Sequence, residues 1–164
     1  MHPPTGAAWL VWLETSSLAG AMRQWQWLYP IVEIVHILGF VVLVGAAVMF
    51  DLRLLGRSRA TSVRALAAHL LPWARGAVLL VALSGSLLFL TQAGTYAQSR
   101  VFALKLSLIA AAGLNAAVFH AGAFRTVAGW DQGMRAPLPA RLAGALSLLL
   151  WTGVITAGRL LAYV

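Results

Sequence analysis

A chain of 164 residues with 61% apolar and only 10% charged side chains has a mean hydropathy of +0.84, too apolar for a soluble domain, where about a quarter of residues are charged. Its net charge of +8 comes from twelve cations that are scattered along the chain rather than massed on one face, which argues for membrane topology and anionic lipid and against nucleic acid. The absence of cysteine excludes disulfides, thiolate metal sites, iron–sulfur clusters and covalently attached c-type haem.

The first residues, Met1 to Gln24, lack the basic start and unbroken apolar core of a signal peptide and carry Glu14, so they are expected to stay on the chain. Ala7 to Leu13 and Ser16 to Gln24 read as short amphipathic pieces, too short to span, flanked by Trp9, Trp12, Trp25 and Trp27. Tryptophan favours the headgroup level, so residues 1–27 are expected to form an interfacial arm on the membrane surface. Pro30, welcome in a first helical turn, opens a first span over Leu28 to Phe50, with Asp51 and Arg53 ending it. A second helix is expected from Thr61 to Gln92, capped by the Thr-Ser pair and kinked at Pro72. A third covers Val101 to Phe119 and a fourth Leu138 to Leu161. Runs of this length must be helices, because only helices and closed barrels satisfy the backbone in lipid. Trp73 and Trp130 read as interface anchors, and Gly45, Gly85, Gly113, Gly144 and Gly153 as close-packing positions between helices.

The expected fold is therefore an all-α membrane protein: an up-down bundle of four transmembrane helices over residues 28–164, preceded by an interfacial amphipathic helix. Eight cations (Arg53, Arg57, Arg59, Arg64, Arg75, Arg125, Arg135, Arg141) fall on one side against four on the other (Arg23, Arg100, Lys105, Arg159). That excess places the arginine loops in the cytoplasm and both termini outside.

Ionisable groups within such spans are costly and mark pathways, cofactors or buried ion pairs. His36 lies about 12 Å from the start of the first span and Lys105 about 8 Å from the start of the third, so the two can meet. Glu33 sits one turn before His36, and Arg159 approaches the same level from the fourth span. Two readings suit this group. One is a haem b site, with the His36 imidazole as axial ligand, Lys105 and Arg159 beside the propionates, and Gly39 leaving room for a flat macrocycle. The other is a buried Glu33–Lys105 ion pair, with His36 hydrogen-bonded to a neighbouring helix. His69 and His120 share the opposite level and read either as a second, two-imidazole metal site or as polar tips facing headgroups. Asn115 is either a tie between helices or a cofactor contact. There is no phosphate loop, no carboxylate pair within a span and no nucleophilic triad.

The stretch Trp27 to Gly56, WLYPIVEIVHILGFVVLVGAAVMFDLRLLG, with the closing GRLLAYV, resembles a family of small bacterial four-helix membrane proteins. More distantly, VEIVHILGFVVLVGAAVMFDLRLL is similar to the first helix of the J-type protoporphyrinogen oxidases and to part of the copper-resistance D membrane proteins. In the former, an early histidine matches His36, and a lysine in a pattern like VFALKLSLIAAAGLN matches Lys105. The resemblance implies haem bound through His36 with Lys105 in or near the site. Asn115 stands where that family has a tyrosine–histidine step, so what the resemblance implies is haem binding rather than porphyrin oxidation.

The leading expectation is a multi-pass protein of the bacterial inner membrane that binds haem b at His36, with Lys105, Glu33, Asn115 and Arg159 around it, for electron transfer or porphyrin-related redox chemistry. If it is an enzyme, it is an oxidoreductase. A cofactor-free membrane subunit or small transporter, relaying protons or ions through Glu33, His36 and Lys105, is the second expectation. A third is an assembly module offering its Trp-rich arm to a partner. Membrane lipid is the expected surrounding, and small-residue faces favour a homo-oligomer or a larger membrane complex.

Overall fold

The computed structural model describes residues 7–163, and every described regular element is helical. Two short helices, α1 (Ala8–Thr15) and α2 (Ser17–Gln24), precede α3 (Leu28–Leu54). Then come α4 (Val63–Leu90), a one-turn-and-a-half α5 (Ala93–Gln98), α6 (Arg100–Ala121), a 3-10 segment (Ala123–Gly129) and α7 (Leu138–Leu160). Helices α3, α4, α6 and α7 are each long and apolar enough to cross a membrane.

Local chemistry sets the helix starts. Ser62 accepts from the Ala65 N–H at 3.0 Å and Ser99 from the Phe102 N–H at 3.3 Å, each satisfying a donor that the first turn leaves without a partner. Pro139 occupies the first turn of α7, where its missing N–H costs nothing. Helix α4 runs through Pro72 without interruption in its helical assignment.

Three expectations need correction. Asp51 and Arg53 do not end the first long helix; α3 continues to Leu54, and both side chains are buried. The reason is close packing on α7, where a Cβ built on Gly144 would come within 3.3 Å of the Asp51 carbonyl and of the Leu54 Cβ. Trp130 is not an interface anchor: it is buried with Phe50, Leu54, Val63 and Phe119, and its indole N–H donates to Thr126 Oγ1 at 3.1 Å. Gly39 is not open space for a ligand, since Leu80 and Val81 of α4 pack against it. Gly153 matches its expected role, with Leu108 of α6 close by, whereas nothing approaches Gly45 or Gly113 within 4 Å.

One end of the molecule is knitted by polar bonds. The Arg53 guanidinium, 1% exposed, donates to the carbonyls of Thr61 (2.6 Å), Asp131 (2.8 Å) and Arg59 (3.3 Å). In this way it joins the end of α3 to the loop before α4 and to the segment before α7. Asp131 completes the knot: its carboxylate accepts from the Ser62 hydroxyl (2.9 Å) and the Arg64 N–H (2.8 Å), while its carbonyl accepts from the Val63 N–H (3.1 Å). An acidic group here also suits the positive end of the α4 dipole.

The Arg64 N–H, and after it the Ser62 hydroxyl, hold the Asp131 carboxyl below the ordinary carboxylate range, outweighing the opposing effect of burial. A carboxyl with a depressed folded-state pKa stabilises the fold fully above the unfolded value, about 4, and ceases to do so as pH falls through the folded value. Asp131→Asn is therefore expected to lower the thermal midpoint at pH 7, with the gap from wild type closing below about pH 4. Thermal melts in detergent across pH 3 to 7 check this; a constant gap would mean that the carboxylate charge is not what matters.

The opposite end is covered by the N-terminal arm. Leu10, Ala19 and Met22 are buried, α1 packs on α5, and α2 packs on α3 and α4. Arg23 donates to the carbonyls of Glu14 (2.7 Å) and Thr91 (3.3 Å), and Glu14 Oε1 accepts from the Gly94 N–H at 2.8 Å. With its small and aliphatic residues turned inward, the arm leaves Trp9, Trp12, Trp25 and Trp27 exposed.

Candidate functional site

The long helices pack in the order α4 on α3, α3 on α7, and α7 on α6, while α4 and α6 are not closely packed along their length and meet through the Phe89 and Phe102 rings near the arm. The unclosed side leaves a cavity of about 1,670 Å³, lined along its length by residues of all four long helices. This exceeds the 300–1,000 Å³ common for small-molecule sites. Val78 and Leu79 of α4 and Leu106 and Ile109 of α6 line it while exposed on the outer surface, so the opening faces sideways. Near the arm, Phe89, Tyr96 and Phe102 bridge the gap, with the Phe89 and Phe102 rings stacked at 5.4 Å and 14°.

His36, Glu33, Lys105 and Arg159 all line this cavity, on the half nearer the arm. Glu33 and Lys105 do not form the expected ion pair; the Lys105 amine lies beside Gly158, with 3.7 Å from Nζ to a Cβ built there. Arg159 is exposed, stacks over the Tyr163 ring at 4.9 Å and donates to the Tyr163 hydroxyl at 2.6 Å.

The expectation of a hydrogen bond from His36 to a neighbouring helix is met by Ser84, a residue that sequence reasoning passed over. Ser84 Oγ lies 3.0 Å from His36 Nδ1 and is itself 2.6 Å from the Leu80 carbonyl. A hydroxyl has one proton, and the carbonyl can only accept, so Ser84 gives its proton to Leu80 and Nδ1 must donate to Ser84. This geometry favours the Nδ1–H tautomer, and Nε2 makes no side-chain hydrogen bond among the described residues. Gly85 makes this position available: a Cβ there would stand 3.0 Å from His36 Cε1. The only prior signal was the SGS triplet, Ser84 to Ser86, in an otherwise aliphatic run.

The other expected residues separate. Asn115 lines the cavity, but its amide donates to the Ala143 carbonyl of α7 at 2.9 Å, so it acts as a tie between α6 and α7. His120 lines the far end of the cavity, with Nδ1 on the Ala116 carbonyl at 2.8 Å and its ring against Phe119 and Phe124. His69 is exposed and lies outside the cavity lining. The two do not form a two-imidazole site, and among the described residues no three His, Asp or Glu side chains gather to hold a metal ion. A porphyrin asks for less: one imidazole with a free lone pair, an apolar slot and cations for two carboxylates. The arm-side half offers all of these, its apolar wall including the edge-on pair Phe40 and Trp151 at 6.1 Å.

No family model, no curated protein and no solved structure matches this chain.

Proposed function

We propose that this is a four-span protein of the bacterial cytoplasmic membrane that holds haem b through His36 and passes electrons. The observation that carries the reading is the His36–Ser84 bond, which frees Nε2 on a residue lining a cavity large enough for a macrocycle. The likeness to J-type protoporphyrinogen oxidases at His36 and Lys105 supports the same ligand. Lys105 and Arg159 would meet the propionates, Ser84 and Gly85 would orient the His36 imidazole, and Phe40 and Trp151 would keep water from the ring. Bound haem supplies one-electron chemistry; any catalysed reaction would accordingly be an oxidation or reduction.

The helices cross up and down. Exposed Leu79, Leu83, Leu114 and Leu149 meet lipid tails. The end tied by Arg53 and Asp131, rich in arginine, faces the cytoplasm, and the arm with its four tryptophans lies in the outer interface. Contact between copies of the chain would use small-residue faces.

Detergent-purified protein from a haem-replete host is expected to show a Soret band, with α and β bands that sharpen on reduction, and His36→Ala to abolish or displace them. A colourless wild-type protein overturns the proposal.

A further inference from the structure

The half of the cavity nearest the arginine loops carries a group that haem at His36 does not use. Asp51 lies 15 residues beyond His36 on α3, about 22 Å along the helix axis. It lines the same cavity while only 6% exposed. Among the described residues, one carboxyl oxygen, Oδ2, is buried without a hydrogen-bond partner, and the side chain that serves the carboxyl is the Ser147 hydroxyl of α7. Among the described residues the carboxyl forms no ion pair. Of the polar neighbours on this stretch, Asn115 donates to the Ala143 carbonyl and His120 holds the Ala116 carbonyl through Nδ1, while His120 Nε2 is itself buried without a partner. The one cation lining that stretch is Arg75 of α4, which is exposed.

A buried acidic group without a countercharge is retained at a cost, and such groups in membrane helices mark ligand counter-ions or transport pathways. Its surroundings define the complement. The cavity wall next to it is apolar and aromatic, and the slot is open between α4 and α6. A hydrated metal ion suits neither feature, and no cluster of ligating side chains is present among the described residues. An organic cation with an apolar body suits both: its charge meets the Asp51 carboxyl, and its body fills the slot and reaches it from the bilayer.

We infer that the loop-side half of the cavity binds a lipophilic organic cation, with Asp51 as its counter-ion. Asp51 positions the charged head, and Ser147 orients the carboxyl. This inference is independent of haem, because it uses neither His36 nor Lys105.

Tetraphenylphosphonium is the probe, with neutral tetraphenylmethane as the uncharged comparison and equilibrium binding to detergent-purified full-length protein as the measurement. The expected result is saturable binding that weakens at least tenfold in Asp51→Asn and is retained in Asp51→Glu. Binding is expected unchanged in His36→Ala and no weaker in Arg75→Gln. Size-exclusion profile and helical content matching wild type show that Asp51→Asn is folded. Absent saturable binding, equal binding by a folded Asp51→Asn, or equal binding of the neutral probe would each overturn the inference. A colourless protein that binds the cation through Asp51 discards the haem and keeps this site; a coloured one that does not bind it does the reverse.

Discussion

Replacing Arg53 by alanine is expected to destabilise the protein by about 3 kcal/mol, the upper range for a single substitution. The side chain is 1% exposed and gives two short charge-assisted bonds, to Thr61 and Asp131, and a longer one to Arg59. Its loss leaves the Thr61 carbonyl without a donor, takes one of two donors from the Asp131 and Arg59 carbonyls, and uncouples α3 from both connecting loops. The two short bonds leave from different nitrogens, Nε and one terminal amine, so a lysine ammonium cannot reproduce the fork. Arg53→Lys should therefore lose most of the same stability, whereas Arg57→Ala, on an exposed side chain without a polar partner among the described residues, should be near neutral. Reversible unfolding in mixed micelles measures all three. An Arg53→Lys as stable as wild type would show that charge alone holds the knot.

A bulkier residue at Gly85 is the most direct strike at the candidate cofactor site. A Cβ at this position falls 3.0 Å from His36 Cε1 and 3.4 Å from Nδ1, so even alanine asks the imidazole to give by a few tenths of an ångström and a branched side chain crowds it further. Gly85→Val is expected to reduce haem retention by about 10- to 100-fold, the range for losing groups that orient a metal ligand. The helical content should stay as in wild type, since α4 gains a helix former and the crossing with α3 is set at Gly39. Haem titration of protein stripped of pigment, read at the Soret band, provides the measurement. Undiminished affinity in Gly85→Val would mean that His36 is not the ligand.

The four long helices were legible because apolar runs of more than 18 residues have one solution in lipid, and their starts were set by short-range capping at Ser62 and Ser99. The end of α3 was misplaced for a physical reason. Asp51 and Arg53 look like a boundary by hydropathy, yet Gly144 on α7 lets α3 approach closely enough to bury them, a pairing that no local pattern reveals. Trp130 misled likewise: tryptophan prefers interfaces on average, but here a neighbouring Thr126 accepts its N–H and the core at the loop end takes its rings. At the site, helical rise alone put His36 and Lys105 at one level. Ser84 escaped notice because a serine in a membrane helix ordinarily bonds its own backbone, and Ser84 does so while also accepting from the histidine.

The unclosed side between α4 and α6 has a consequence for how the protein coheres. In a bilayer the helices gain nothing from escaping water, so cohesion comes from dispersion contacts and hydrogen bonds. Here one wall of what would be the interior is missing. A group bound in the slot would supply the contacts that a fifth helix would have made. Such a group would act as a structural member, and by mass action its binding would raise the protein's resistance to unfolding.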